Sequence, residues 1–119
     1  MELNTVCTIG DVIRARRDAY FQEGPDSLSQ SADWFIYTRG TKDEYRLDTP
    51  CILAAPPGYD GQRELFPDFC DEHRMYSELM PEILEDVILS ALEQKRDATK
   101  EELLHALNYY ADMDAFFQF

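Results

Sequence analysis

Basic residues are scarce in this chain: Lys and Arg number 11 against 24 Asp and Glu, for a formal net charge of -13 and a pI near 4.3. Such a field disfavours direct nucleic-acid binding, because neutralising phosphates takes clustered Lys and Arg. An electrostatically matched partner is basic; the plainer reading is that the acidity only confers solubility. Cysteine is scarce too. Cys7, Cys51 and Cys70 are widely spaced and odd in number, which does not make a disulfide framework, so reduced thiols are expected. No apolar run approaches transmembrane length, and residues 1–10 lack the basic start and apolar stretch of an export signal. Cytoplasmic residence without membrane contact is the expectation. Also missing are a Gly-rich phosphate loop, G-x-S-x-G, H-E-x-x-H and an EF-hand loop; Gly58-Tyr59-Asp60-Gly61 is turn chemistry. Neither an internal repeat nor a low-complexity segment is present.

What is present suffices to fold. With 119 residues, 45% hydrophobic and 13% aromatic, the chain has the apolar content for one core and not for two. A single acidic α+β domain over 1–119 is expected. Its sheet is small and antiparallel, with three strands, or four if the C-terminal tail adds an edge, packed with an N-terminal helix and a C-terminal helical hairpin.

Thr8 followed by Asp11 has the form of a helix cap, predicting a helix over 9–21 with Ile9, Val12, Ile13, Ala19 and Tyr20 on its apolar stripe. Arg16 projects onto that stripe, where a guanidinium must snorkel or meet a carboxylate, and a structural ion pair is expected. Gly24-Pro25 ends the helix, and 24–31 reads as a surface loop. Residues 33–38 carry Trp34, Phe35, Ile36 and Tyr37, apolar on both faces, as a strand covered on two sides and central in its sheet requires. Tyr45 and Leu47 alternate with Glu44 and Arg46, predicting a half-exposed strand, and 51–55 predicts a third, giving a meander. A long connection over 56–76 is expected to hold short helical turns and to be pinned by Tyr59, Leu65, Phe66 and Phe69.

The stretch 77–112 is the most informative. Helix is predicted over 81–95, with Lys95 and Arg96 at its negative end, followed after a short linker by a second helix that opens on a capping box of Thr99 and Glu102. In the first, Met80, Leu84, Val87, Ile88, Ala91 and Leu92 share a core arc, while Glu78, Glu82, Glu85, Asp86 and Glu93 share the opposite, solvated one. Leu89 lies among those acids, either as incidental surface or as the anchor of a contact. The tail 115–119, rich in Phe, is expected to pack on the domain or to add a strand.

Catalytic constellations are thin. Cys70-x-x-His73 is the one close Cys and His pair, and a structural zinc site shows two such pairs. The neighbours Asp68, Asp71 and Glu72 raise a thiol pKa, the wrong direction for a nucleophile. His105 and Tyr109, with Glu101 one turn before, could hold a proton, but an ordinary solvated helix face with weak neighbouring contacts is by far the stronger reading. No catalytic residue, cofactor or metal is assigned. An enzyme using His73 or His105 would require a concave pocket around one of them.

A contact surface is the reading that survives. Carboxylates on a rigid helix and the loop before it accelerate capture of a basic partner, and apolar anchors add durable affinity. Inhibitors that occlude the cationic groove of a nuclease need this arrangement. In size, acidity, α+β pattern and the run Asp68, Asp71, Glu72, Glu78, Glu82, Glu85, Asp86, the chain resembles the cytoplasmic immunity proteins that neutralise bacterial contact-dependent and other polymorphic toxins. The resemblance implies a cognate toxin domain, often a nuclease, bound one to one and blocked at or near its active site. Glu82, Glu85 and Asp86 are then expected to supply charge, Leu89 the anchor, and Asp68, Asp71 and Glu72 a flanking acidic loop. The alternative is a regulatory or scaffold module that binds through the aromatic tail.

Overall fold

The computed structural model describes residues 3–24, 34–40 and 44–119. The first strand, β1 (Thr5–Thr8), runs directly into helix α1 (Ile9–Glu23). Thr8 caps the helix as its sequence requires: its hydroxyl accepts from the Asp11 N–H at 3.1 Å, and the Asp11 carboxylate accepts from the Thr8 N–H at 3.0 Å. Two further amides at the helix start, Ile9 and Gly10, donate to the carbonyls of Thr49 and Leu47. That approach is tight, since a Cβ at Gly10 would stand 2.7 Å from the Leu47 oxygen.

Strands β2 (Phe35–Thr38) and β3 (Pro50–Ala54) pair antiparallel with each other, β1 adds to the far edge of β3, and β6 (Ser77–Leu79) adds to the far edge of β2. The order is β1-β3-β2-β6. β2 is therefore an inner strand, as its two-sided apolar run predicts. The period of two sends Ile36, Cys51, Leu53 and Leu79 to one face and Tyr37, Ile52 and Ala54 to the other. On the first face lie α1, α3 (Pro81–Gln94) and α4 (Lys100–Met113), which bury Ile13, Leu84, Ile88, Leu92, Leu103 and Leu107. Each such side chain contributes roughly 1.5–3 kcal/mol relative to exposure. The second face is covered by α2 (Asp68–His73), which contributes the buried Cys70 and the partly buried Phe69, and by Met75 and Phe66. A two-stranded hairpin, β4 (Gly58–Asp60) with β5 (Arg63–Leu65), precedes α2.

The helical hairpin is as the sequence reads. Pro81 opens α3, and Thr99 and Glu102 form the capping box of α4, with Lys95 reaching the same Glu102 carboxylate at 2.6 Å. Met80 departs from its expected core position and is exposed, because it precedes the first turn. The strand expected around Tyr45 and Leu47 is also absent: 44–46 carry no ladder and 47–48 are a turn. Its backbone groups are satisfied differently. The Asn108 side chain on α4 accepts from the Tyr45 N–H at 2.8 Å and donates to the Tyr45 carbonyl at 2.9 Å, so a side-chain amide replaces the neighbouring strand. The meander is corrected accordingly: β1 and β6 flank β3 and β2 to make four strands, and the tail adds none. The tail packs on the helices instead: Gln94 donates to the Phe117 carbonyl and accepts from the Phe119 N–H, and the Phe117 ring stands edge-on to His105 and Tyr109. The loop expected over 24–31 lies, after Gly24, outside the described residues, as do Asp33 and residues 41–43.

Candidate functional site

The connection between β3 and α3 builds the candidate site. Its first element is the β4–β5 hairpin, turned by Gly61 at φ +65°, a backbone conformation that favours glycine. The hairpin register sets Tyr59 opposite Glu64, and the Tyr59 hydroxyl lies 3.4 Å from the Glu64 carboxylate. Phe66 and Pro67 then lead into α2, whose C-terminus is closed by Arg74 in the left-handed region at φ 54°. That reversal brings the chain back to Tyr76 and the edge strand β6. From the core outward the rings run Tyr37 to Phe66 at 6.2 Å and Phe66 to Tyr76 at 5.1 Å, both edge to face. Tyr76 donates to the Asp71 carboxylate at 2.7 Å. Its ring is thereby fixed although it is 44% exposed, and Tyr59 is 66% exposed.

Acids surround these phenols. Glu64 on β5 and Glu78 on β6 face each other, and the Glu78 carboxyl is pushed up to about 7, by burial first and then by its hydrogen bond to Glu64 and the charge of that neighbour. The Tyr76 phenol is raised chiefly by its bond to Asp71, and the Tyr59 phenol by the Glu64 charge. Asp68, Asp71 and Glu72 are all exposed on α2. The result is a surface of hydrogen-bond acceptors and electron-rich ring faces, the complement of a guanidinium or ammonium group.

The structure divides the acidic run that the sequence presents as continuous. Asp68, Asp71 and Glu72 sit on α2, against one face of the sheet, whereas Glu82 and Asp86 sit on α3, against the other. Glu78 is on a strand and not on the helical arc expected of it. Glu85 is not on the surface at all: it is 4% exposed, and its carboxylate lies 3.6 Å from the Arg16 guanidinium of α1. Glu85 stands one heptad before the buried Leu92, a separation that turns the helical wheel by only about 20°. Because α1 and α4 both pack on α3, the buried arc widens to include it. Burial pushes its carboxyl up to about 7, against the pull of Arg16 and with help from the charges of Glu82 and Asp86. Leu89 is corrected for the same reason, being half-buried and packed against the first core cluster. The exposed face of α3 keeps Glu82, Asp86 and Glu93 but loses its apolar centre.

Tyr59 and Tyr76, with Glu64, are the surface residues that the sequence reading missed. Of the four side chains expected to pin the connection, Phe66 and Phe69 do so, whereas Tyr59 and Leu65 are exposed. Asp60-Gly61 between Tyr59 and Arg63 is a hairpin signal, and reading it as one places Tyr59 opposite Glu64.

The other candidates are placed as follows. Cys70 is buried, and burial, with the charges of Asp71 and Glu78, pushes its thiol up to about 11. His73 stacks edge-on to Phe69 at 4.4 Å, and His105 to Phe117 at 4.7 Å. A cavity of about 300 Å³ lies between β6, α3 and α4, lined by Tyr45, Leu79, Ile83, Leu107 and Tyr110, and neither histidine borders it. Among the described residues no three His, Cys, Asp or Glu side chains are grouped as a metal ion would need, and no helix is long and apolar enough to cross a membrane.

Comparison with curated proteins and with solved structures returns no match for this chain. A family model does match, over residues 24–119, beginning where α1 ends. The chain belongs to that family, the domain of unknown function DUF7716.

Proposed function

We propose that this domain is a protein-binding inhibitor of the immunity-protein kind, which acts in the cytoplasm by covering a basic surface of one cognate toxin domain, a nuclease being the first candidate. It needs no cofactor and does no chemistry of its own. The observation that carries this reading is the pair of exposed, positioned phenols, Tyr59 and Tyr76, set among Glu64, Asp71 and Glu78. Interface energy concentrates in a few aromatic anchors surrounded by polar contacts. A ring already held by a carboxylate loses little further freedom on binding. The acids of α2 extend the same field, which speeds capture of a basic groove and repels acidic competitors.

Growth rescue tests it. The product of the adjacent reading frame in the source genome, expressed alone, is expected to arrest growth, and co-expression of this chain to restore it. Tyr76→Ala combined with Asp71→Lys is expected to abolish the rescue while the variant stays folded. A wild-type chain that gives no rescue, or a folded variant that rescues fully, contradicts the reading.

The second reading, a scaffold module that binds through the tail, draws support from Phe116 and Phe119, which keep 39% and 43% exposure beside the anchored Phe117.

A further inference from the structure

Cys7 and Cys51, 44 residues apart in the chain, are register partners across β1 and β3, with their sulfurs 3.5 Å apart. Both are free thiols. Residues directly opposite each other in an antiparallel pair have Cα atoms about 4.5–5.5 Å apart, inside the window of roughly 4.4–6.8 Å that disulfides occupy. Side-chain rotation with a small shift of an edge strand brings the sulfurs to bonding distance, and β1 is such an edge. We propose that Cys7 and Cys51 form a dithiol that low-molecular-weight disulfides oxidise, locking β1 and α1 to the part of the chain that carries the family match.

The two thiols differ in a way that orders the steps. Cys7 is half-exposed, and Cys51 is fully buried. The thiol–thiol hydrogen bond lowers the Cys7 pKa, while that same contact, together with burial, raises the Cys51 pKa. Cys7 is thus the attacking group: its thiolate displaces one thiolate from the small disulfide and forms a mixed disulfide. Cys51 then gives its proton to the released thiolate and attacks the Cys7 sulfur, expelling the second small thiolate, which takes a proton from solvent. In sum, two protein thiols and one small disulfide become one protein disulfide and two small thiols. Cys70 takes no part, being packed against the opposite face of the sheet from Cys51.

Folded protein is incubated with oxidised glutathione, then unfolded and alkylated. One cysteine per chain of the three is expected to be labelled, Cys70, with Cys7 and Cys51 joined in a single peptide pair by mass spectrometry. Dithiothreitol is expected to restore all three. Closing so long a loop is expected to raise Tm by about 5 °C or more. Cys7→Ser, or Cys7→Ala should the serine disturb the edge strand, is expected to lose both the linkage and the shift. Three labelled cysteines, a stable glutathione adduct on Cys7, or a linked chain whose Tm is unchanged or lower would each overturn the proposal.

Discussion

The Arg16 guanidinium lies 3.6 Å from the Glu85 carboxylate, at a contact between two helices where both side chains are largely withdrawn from water. Removing the carboxylate alone takes a close countercharge from a guanidinium that stays largely out of water. Glu85→Ala is therefore expected to cost about 3 kcal/mol in urea unfolding. The double change Arg16→Leu with Glu85→Leu is expected to fall within about 1 kcal/mol of wild type, since it removes two desolvation costs together with the attraction. Equal losses in the single and double variants would show that the pair does not act as a unit.

That pair also marks what a sequence can and cannot tell. Arg16 on an apolar stripe calls for a carboxylate, and the requirement is visible in the sequence; which carboxylate answers depends on how α1 lies across α3, a tertiary fact. The helices and their capping boxes, Thr8 with Asp11 and Thr99 with Glu102, were legible because they depend on spacing alone. β1 and β6 were not, since each is a strand of only three or four residues without the aromatic run that marks β2. The alternation around Tyr45 is real, yet Asn108 supplies the hydrogen bonds of a strand from a helix. The site suffered most. Acids adjacent in sequence lie on opposite sides of a sheet, and its tyrosines gain their places only from the hairpin register and the reversal at Arg74.

Acidification should stabilise the protein before it destabilises it. The carboxyls of Glu78 and Glu85 both stand at about 7 in the folded chain against an ordinary value of 4.5. Each binds its proton more tightly when folded. Their contribution to stability is thus full below about pH 4.5 and is lost as pH rises through 7. Glu102 runs the other way: its bond to Lys95 lowers its carboxyl, and that support fades as pH falls below the ordinary range. Thermal melts are expected to show Tm rising from pH 8 to a maximum near about pH 5, with Glu78→Gln flattening part of the slope. A Tm that climbs steadily from pH 5 to 8 would contradict this assignment.

Gly10→Ala sets packing against propensity. In an open helix the change gains up to about 1 kcal/mol. Here the added Cβ meets the Leu47 carbonyl oxygen at 2.7 Å, and that oxygen is itself the acceptor for the Gly10 amide. A net loss of about 1–3 kcal/mol is expected in the urea midpoint, and a gain would mean that the 44–49 segment yields easily.

Deleting 116–119 removes the Phe117 ring from His105 and Tyr109 and frees Gln94 from its two tail contacts. Far-UV circular dichroism is expected to be unchanged and stability to fall by about 1–2 kcal/mol. Partner binding is expected to survive the deletion; its loss from a folded chain would favour the tail as the binding element.

Association kinetics with the basic partner bear most directly on the proposed inhibitor surface. Asp71→Lys with Glu78→Lys is expected to slow association at least about tenfold at low salt, with the gap narrowing as salt rises. Tyr76→Ala is expected mainly to speed dissociation. Glu82→Lys with Asp86→Lys, the same charge change on the other side of the sheet, is expected to have a much smaller effect. Equal slowing by the two charge-reversal pairs would contradict a localised surface, and no slowing by the first would contradict the binding face itself.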